Sequence, residues 1–294
     1  MNRQDIQIQE ILERLETGVR EVYSTDAWRN YLRVLSKFHS YSVNNCLLIY
    51  MQKPEASMVA GYRIWNTEFH RQVRKGEKAI RIIAPVRRKI IEKDEEENTY
   101  RIDGFRVASV FDISQTYGDP VPVNLCENLQ DQVDDYPLFI EALKLASPVR
   151  VRFEKTREGV NGFYSVLDEE IVINPGMSAA QTVKTLLHEI AHALLHRDNR
   201  SSMRSERVRR EIEAESVACT VSSYYGIDTS SYSFRYIAAY AQDRELAQLK
   251  ESMETIRQTS SELITLIRRI RNPVPGTRNK KPEIHPASLT QLSF

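Results

Sequence analysis

Residues 185 to 196 read TLLHEIAHALLH, three histidines and a glutamate set among leucine, isoleucine, alanine and threonine. The apolar residues recur at helical spacing and call for a helix with one face in a core. The polar ones are costly there, because a buried imidazole or carboxylate must be hydrogen-bonded, paired or bound to a metal. Ser178 and Gln181 form a capping-box start, so the helix is predicted to enter at Ala179. Either these polar groups are satisfied core residues or they make a site.

Their spacing favours a site. His188 and His192 are four apart, on one face and about 6 Å apart along the axis. Two imidazole nitrogens so placed can both reach one Zn²⁺ at about 2.0–2.1 Å. Glu189 falls beside the ion, where it can hold a water and take its proton, the HExxH arrangement of metallopeptidases. A catalytic zinc also needs a third protein ligand and an open fourth position. His196 lies about 12 Å along a continuous helix from His188, and no glycine at 193 to 195 breaks that helix. It is read as structural or solvent-facing. Downstream, REIEAE offers Glu211, Glu213 and Glu215. Glu211 and Glu215 share a helix face while Glu213 points away from both. Glu211 is taken as the third ligand and Glu215 as a carboxylate accepting the free N–H of a ligand histidine. The strand expected at 168 to 174 could hold a peptide as an added strand or be an ordinary sheet strand. Among Tyr224, Tyr225, Tyr232 and Tyr236 an oxyanion donor is possible, though each also suits a core.

The N-terminal half has a different character. From Arg71 to Lys93 nine basic residues face two acidic ones, a local net charge of +7 in a chain that is +1 overall. Tyr62, Arg63, Trp65 and Phe69 precede this run, and Tyr41, Asn44, Asn45 and Tyr50 come earlier. Cations track phosphates and aromatic faces stack on unpaired bases, a combination suited to single-stranded nucleic acid. Asn44, Asn45, Arg63, Trp65, Arg71, Arg74, Lys75, Lys78 and Arg81 are the candidate contacts. No helix rich in arginine, asparagine and glutamine stands out for duplex readout. A basic strand can equally be a solvated edge defended against aggregation.

Periodicity predicts helices at 5–23, 26–38 (with Asp26 as N-cap) and 42–52, then two strands forming a hairpin about the acidic turn EKDEEEN. Residues 116–136, rich in proline, aspartate and asparagine, are read as a linker. Beyond lie a helix at 138–146, strands at 149–154, 162–167 and 170–174, and helices at 179–196, 205–225 and 245–270, with a shorter one near 234–241. The segment 272–294 is polar and is expected to be a disordered tail. The chain is thus expected to be α+β, with a helical and β-hairpin domain over 1–115 and a second domain, carrying the histidine helix, over 137–271. The three cysteines are odd in number and form no CxxC pair, which favours reduced thiols and a cytoplasmic setting. No signal-peptide core is visible and no apolar run approaches the roughly 18 residues of a bilayer span, so no membrane role is expected.

The stretch SKFHSYSVNNCLLIYMQKPEASMVAGYRIWNTEFHRQVRKGEKAIRIIAPV resembles the N-terminal single-stranded-DNA-binding domain of ArdC-type antirestriction proteins. The likeness lies in the Asn44–Asn45 pair, AGYRIW and VRKGEKAI. HEIAHALLH and REIEAES are similar to the ImmA/IrrE-like zincin metallopeptidases that follow that domain in ArdC and LtrC-like proteins. The resemblance implies a mobile-element protein that binds incoming single-stranded DNA and shields it from restriction. It gives His188, Glu189 and His192 the metal-site roles above and places the downstream carboxylate at Glu211 or Glu215. ImmA-type motifs often read Glu-Ala-Asn, and here Glu215 stands at the asparagine, so both glutamates remain open as ligands. Two rival functions are a non-proteolytic single-stranded-DNA-binding protein with a structural or vestigial metal site, and a regulatory peptidase that cleaves a repressor. For a peptidase the protein substrate is unidentified.

Overall fold

The computed structural model describes residues 3–90, 99–121, 136–197, 204–242 and 244–272. The N-terminal half begins with α1 (Arg3–Val22), α2 (Thr25–Lys37) and α3 (Val43–Gln52). Ser24 takes the N-cap position of α2, with extended backbone, and Asp26 lies in its first turn. Ser42 caps α3, its hydroxyl accepting from the Asn45 backbone N–H. Trp28, Tyr31, Leu32 and Leu35 on α2, at helical spacing, are buried. Then follow β1 (Val59–Gly61), the short α4 (Tyr62–Thr67), β2 (Arg71–Val73), β3 (Ile80–Ile90) and β4 (Thr99–Asp112). A 3₁₀ turn (Ile113–Gln115) leads into β5 (Thr116–Gly118). β3 and β4 form the antiparallel hairpin, and β1 adds to β4 on the other side. The turn EKDEEEN lies outside the described residues. Ile80 and Ile82 point into the core with Arg81 exposed between them, the alternation of a half-buried strand.

Thr116–Gly118, read from the sequence as the start of the linker, pairs with β2 as a two-stranded ribbon. Three residues are too short to show periodicity, so this pairing was invisible in the chain. The rest of the linker before Tyr136 lies mostly outside the described residues, as does the tail from 273.

The C-terminal half holds α5 (Tyr136–Ala146), β6 (Arg150–Phe153), β7 (Gly162–Ser165), β8 (Glu170–Ile173), α6 (Ala179–Leu195), α7 (Arg204–Tyr224), α8 (Ile237–Gln242) and α9 (Leu246–Arg271). The sheet order is β6-β8-β7, with β6 parallel and β7 antiparallel to β8. β8 is therefore central, which explains its buried run Ile171-Val172-Ile173. β7 is an edge strand beside α6. It can sit that close because residue 162 is glycine: a Cβ there would meet Thr185 Cγ2 at 2.8 Å and Ile173 Cδ1 at 2.9 Å.

α7 is the central helix. Many of its buried residues are small, with Ala214, Ser216, Ala218, Cys219, Thr220 and Ser222 all fully buried, so α2, α6 and α9 can all pack against it. Hydroxyls on it bond both within the helix and across to α2: Trp28 Nε1 donates to Ser216 Oγ at 2.9 Å, and Thr220 Oγ1 donates to Ser216 O at 2.8 Å. Further bonds join the two halves. Tyr23 Oη donates to Leu249 O at 2.9 Å, Arg29 Nη2 to Tyr232 O at 3.1 Å and Arg257 Nη1 to His39 O at 3.2 Å. One hydrophobic core runs through both.

Candidate metal centre and nucleic-acid surface

α6 presents His188, Glu189 and His192 to α7, and α7 presents Glu211 and Glu215 back. His188 Nε2 and His192 Nε2 lie 3.0 Å apart. The Glu211 carboxylate straddles them, Oε2 at 3.7 Å from His188 Nε2 and Oε1 at 3.7 Å from His192 Nε2. One ligand atom from each of the three falls within 4.8 Å of the other two. Two nitrogens bound at 2.0–2.1 Å to a tetrahedral ion stand about 3.3 Å apart, so this donor set fits a divalent ion. Glu215 approaches from the outer side, with Oε2 3.2 Å from His188 Nδ1. Its other oxygen accepts from the Ser233 backbone N–H at 3.1 Å.

Glu189 is buried, 8% exposed, and borders a cleft of about 250 Å³ whose walls include Asn161, Gly162, Thr185, His188 and Tyr232. Burial raises its carboxyl above the ordinary range, against the opposing pull of His188 and of the Tyr164 backbone N–H. Burial by itself would lower His188, but Glu215, with Glu189 and Glu211, outweighs it and leaves His188 raised. His192 is lowered by burial, with Glu211 only partly offsetting. The neighbouring His192 imidazole holds Glu211 below its ordinary value.

His196 is not solvent-facing: it is buried, with Nε2 3.2 Å from Glu213 Oε2. Glu213 does turn away from Glu211 and Glu215, into the protein. Of the tyrosines, Tyr224 and Tyr225 are core, Tyr236 is exposed, and only Tyr232 lines the cleft, with its hydroxyl bonded to Ser222 Oγ. β8 has a neighbour on each side, so the strand beside the cleft whose outer edge pairs with no other strand among the described residues is β7.

The N-terminal candidates divide. Arg63, Arg74, Lys75, Lys78 and Arg81 are exposed and Asn44 is half-buried. Trp65 is a correction: it is 0% exposed, its Nε1 donates to Phe111 O at 2.8 Å, and a ring without a free face cannot stack on a base. Asn45 is a second correction. Its side-chain amide donates to Ile83 O at 2.8 Å and accepts from Ile83 N at 2.9 Å, replacing a missing strand at the outer edge of β3. Gln52 does the same at Arg81. Arg71 is largely engaged as well, donating to Thr116 Oγ1 at 2.8 Å and to Asp119 O at 2.5 Å. The aromatic surface lies instead on Tyr62, Phe105 and Tyr117, each about half exposed. Phe105 pairs with Pro85 in the hairpin, on the same face as Arg81. Counting alternation back from Ile82 along both strands would have found it.

Residues 2–111 match the family model of the N-terminal domain of the anti-restriction factor ArdC, and residues 146–259 match the IrrE N-terminal-like domain. The chain is a two-domain α+β protein with an ArdC-type N-terminal domain and an IrrE-like, metallopeptidase-type C-terminal domain. It is similar to an uncharacterised protein of Bacillus anthracis, pXO2-81, at 26% identity over 93% of this chain and 53% of that protein. The chain thus spans about half the length of that relative. Among solved structures it is similar to the antirestriction protein ArdC of plasmid R388 in its metal-free form, with TM-score 0.50 and 22% identity, covering 78% of this chain and 85% of that one. A Mn(II)-bound structure of the same protein has TM-score 0.49, likewise at 22% identity, covering 78% and 84%. The C-terminal family and the three-residue ligand cluster point to a divalent metal. Among the described residues no helix is long and apolar enough to cross a membrane.

Proposed function

We propose that this chain is an antirestriction-type factor of a mobile element, acting in the cytoplasm, which binds single-stranded DNA through its N-terminal half and hydrolyses a peptide bond at a zinc centre in its C-terminal half. One observation carries the reading: His188, His192 and Glu211 converge within 4.8 Å beside a buried Glu189, in a cleft flanked by β7, whose outer edge pairs with no other strand among the described residues. His188, His192 and Glu211 are the ligands, and Glu215 orients His188 through its Nδ1. Zinc held by these three side chains would supply Lewis acidity to a carbonyl and to an attacking water. Glu189 takes the proton of the attacking water and delivers it to the departing amine. Its raised pKa suits both halves of that exchange. The outer edge of β7 pairs with the peptide substrate as an added strand and presents the scissile bond to the cleft.

On the DNA side, Asn44, Arg63, Arg74, Lys75, Lys78 and Arg81 supply polar and cationic contacts, and Tyr62, Phe105 and Tyr117 supply stacking faces. Arg71 shapes the β2–β5 ribbon that carries Tyr117.

The test compares wild type with Glu189→Gln. Both are expected to bind one Zn²⁺ per chain, while only wild type cleaves a quenched-fluorescence peptide library. Equal cleavage by the two would remove Glu189 from the mechanism. A second reading, a peptidase regulated by DNA, is favoured by the bond from Trp28 to Ser216, which ties the N-terminal half to the helix carrying Glu211 and Glu215. It predicts that an unstructured oligonucleotide changes the cleavage rate.

A further inference from the structure

One buried pair is left unused by that mechanism. His196 closes α6 at 9% exposure, and Glu213 on α7 is 1% exposed. His196 Nδ1 lies 3.1 Å from His192 Nδ1, and His196 Nε2 lies 3.2 Å from Glu213 Oε2. The other Glu213 oxygen accepts from Ser252 Oγ on α9 at 2.9 Å and from Arg209 Nη1 at 3.4 Å. His192 meanwhile turns its opposite nitrogen, Nε2, towards His188 and Glu211. A continuous line of polar atoms therefore runs from α9 through Glu213 and His196 to His192.

Hydrogen-bond direction constrains the protons on this line: a carboxylate oxygen accepts, so the His196 ring N–H that meets Glu213 Oε2 is Nε2–H. In the relay His196 carries its one ring proton there. His196 Nδ1 is left as a bare acceptor, so His192 Nδ1 must be the donor across the 3.1 Å contact. A neutral imidazole has one proton to give, so His192 Nε2 keeps its lone pair, and that is the form that binds a metal. We propose that His196 and Glu213 are positioning residues of the metal centre, a hydrogen-bond relay that locks His192 in the tautomer with a bare Nε2. The proposal rests on reading His192 as a metal ligand. It also accounts for a third histidine in the motif that is too distant to bind the ion itself.

The relay can be reversed by a nearly isosteric change. In Glu213→Gln the new carbonyl turns to Arg209, which can only donate, and the NH₂ group then faces His196 Nε2. Each proton along the line shifts, and His192 becomes protonated on the nitrogen that should face the metal. His196→Gln, by contrast, keeps an acceptor for His192 and a donor for Glu213. His196→Leu keeps neither.

The experiment uses the full chain with ¹⁵N-labelled histidine. Long-range ¹H–¹⁵N correlation on metal-free protein reads the His192 tautomer, and competition with a chromogenic chelator reads the affinities for Zn²⁺ and Mn²⁺. Thermal melts of each variant verify folding. Wild type and His196→Gln are expected to carry the His192 proton on Nδ1 and to bind metal within a few-fold of each other. Glu213→Gln is expected to move the proton to Nε2, and both it and His196→Leu to lose roughly 10- to 100-fold in affinity. A wild-type proton on Nε2 overturns the relay, as does an unchanged tautomer and affinity in folded Glu213→Gln. If wild type holds the Nδ1 proton yet binds neither ion, the metal reading fails while the tautomer relay stands.

Discussion

Trp65 and the lysines at 75 and 78 are near neighbours in the chain and opposites in the fold. The indole of Trp65 is wholly buried and bonded to Phe111 O, whereas both lysines are exposed. Trp65→Ala is expected to cost about 3–5 kcal/mol of stability, because it empties a large well-packed site and removes a hydrogen bond. Denaturant titration would measure it. Lys75→Glu with Lys78→Glu should leave stability within about 0.5 kcal/mol. The same pair should weaken single-stranded DNA of every sequence alike and flatten the dependence of affinity on salt, since fewer counterions are released. Fluorescence anisotropy over a salt series checks this. An unaltered affinity would move the DNA surface elsewhere.

The end of β4 is held by a single carboxylate. Asp112 accepts from the backbone N–H groups of Ser57 at 2.7 Å, Met58 at 3.1 Å and Ser114 at 2.9 Å, and so ties the β1 entry and the 3₁₀ turn to one point. Burial would raise its pKa, but these donors outweigh burial and leave it below the ordinary 3.8. A depressed folded value means that the contribution is fully present above about pH 4 and is lost as pH falls through the folded pKa. Asp112→Asn is therefore expected to lose about 1–3 kcal/mol at pH 7. The gap to wild type should close progressively below pH 4 in parallel denaturation curves. A gap that stays constant with pH would show that packing, not charge, does the holding.

Across the molecule the decisive feature is that the two halves share one core around α7. Both tryptophans, Trp28 and Trp65, belong to the N-terminal half, so their fluorescence reports the unfolding of that half. With a common core, a single transition is expected by fluorescence and by far-ultraviolet circular dichroism. Zn²⁺ at 100 times its dissociation constant should raise stability by about 2.7 kcal/mol in both signals. A tryptophan transition that ignores the metal would mean the halves unfold independently.

What could be read in the chain was what depends on near neighbours. Helical spacing placed α6 and its histidines, because residues four apart meet on one face of any helix. Periodicity placed the β3–β4 hairpin and α7, and the glutamates of α7 stood out, without revealing that the helix is central. Burial of Trp65, use of the Asn45 amide at a strand edge, the edge position of β7 and the partner of His196 were decided by segments far apart in sequence. Each depends on which surface a side chain meets once α7 is enclosed by α2, α6 and α9. Local periodicity reports which way a side chain leaves its own backbone, and only the packed structure determines what waits there.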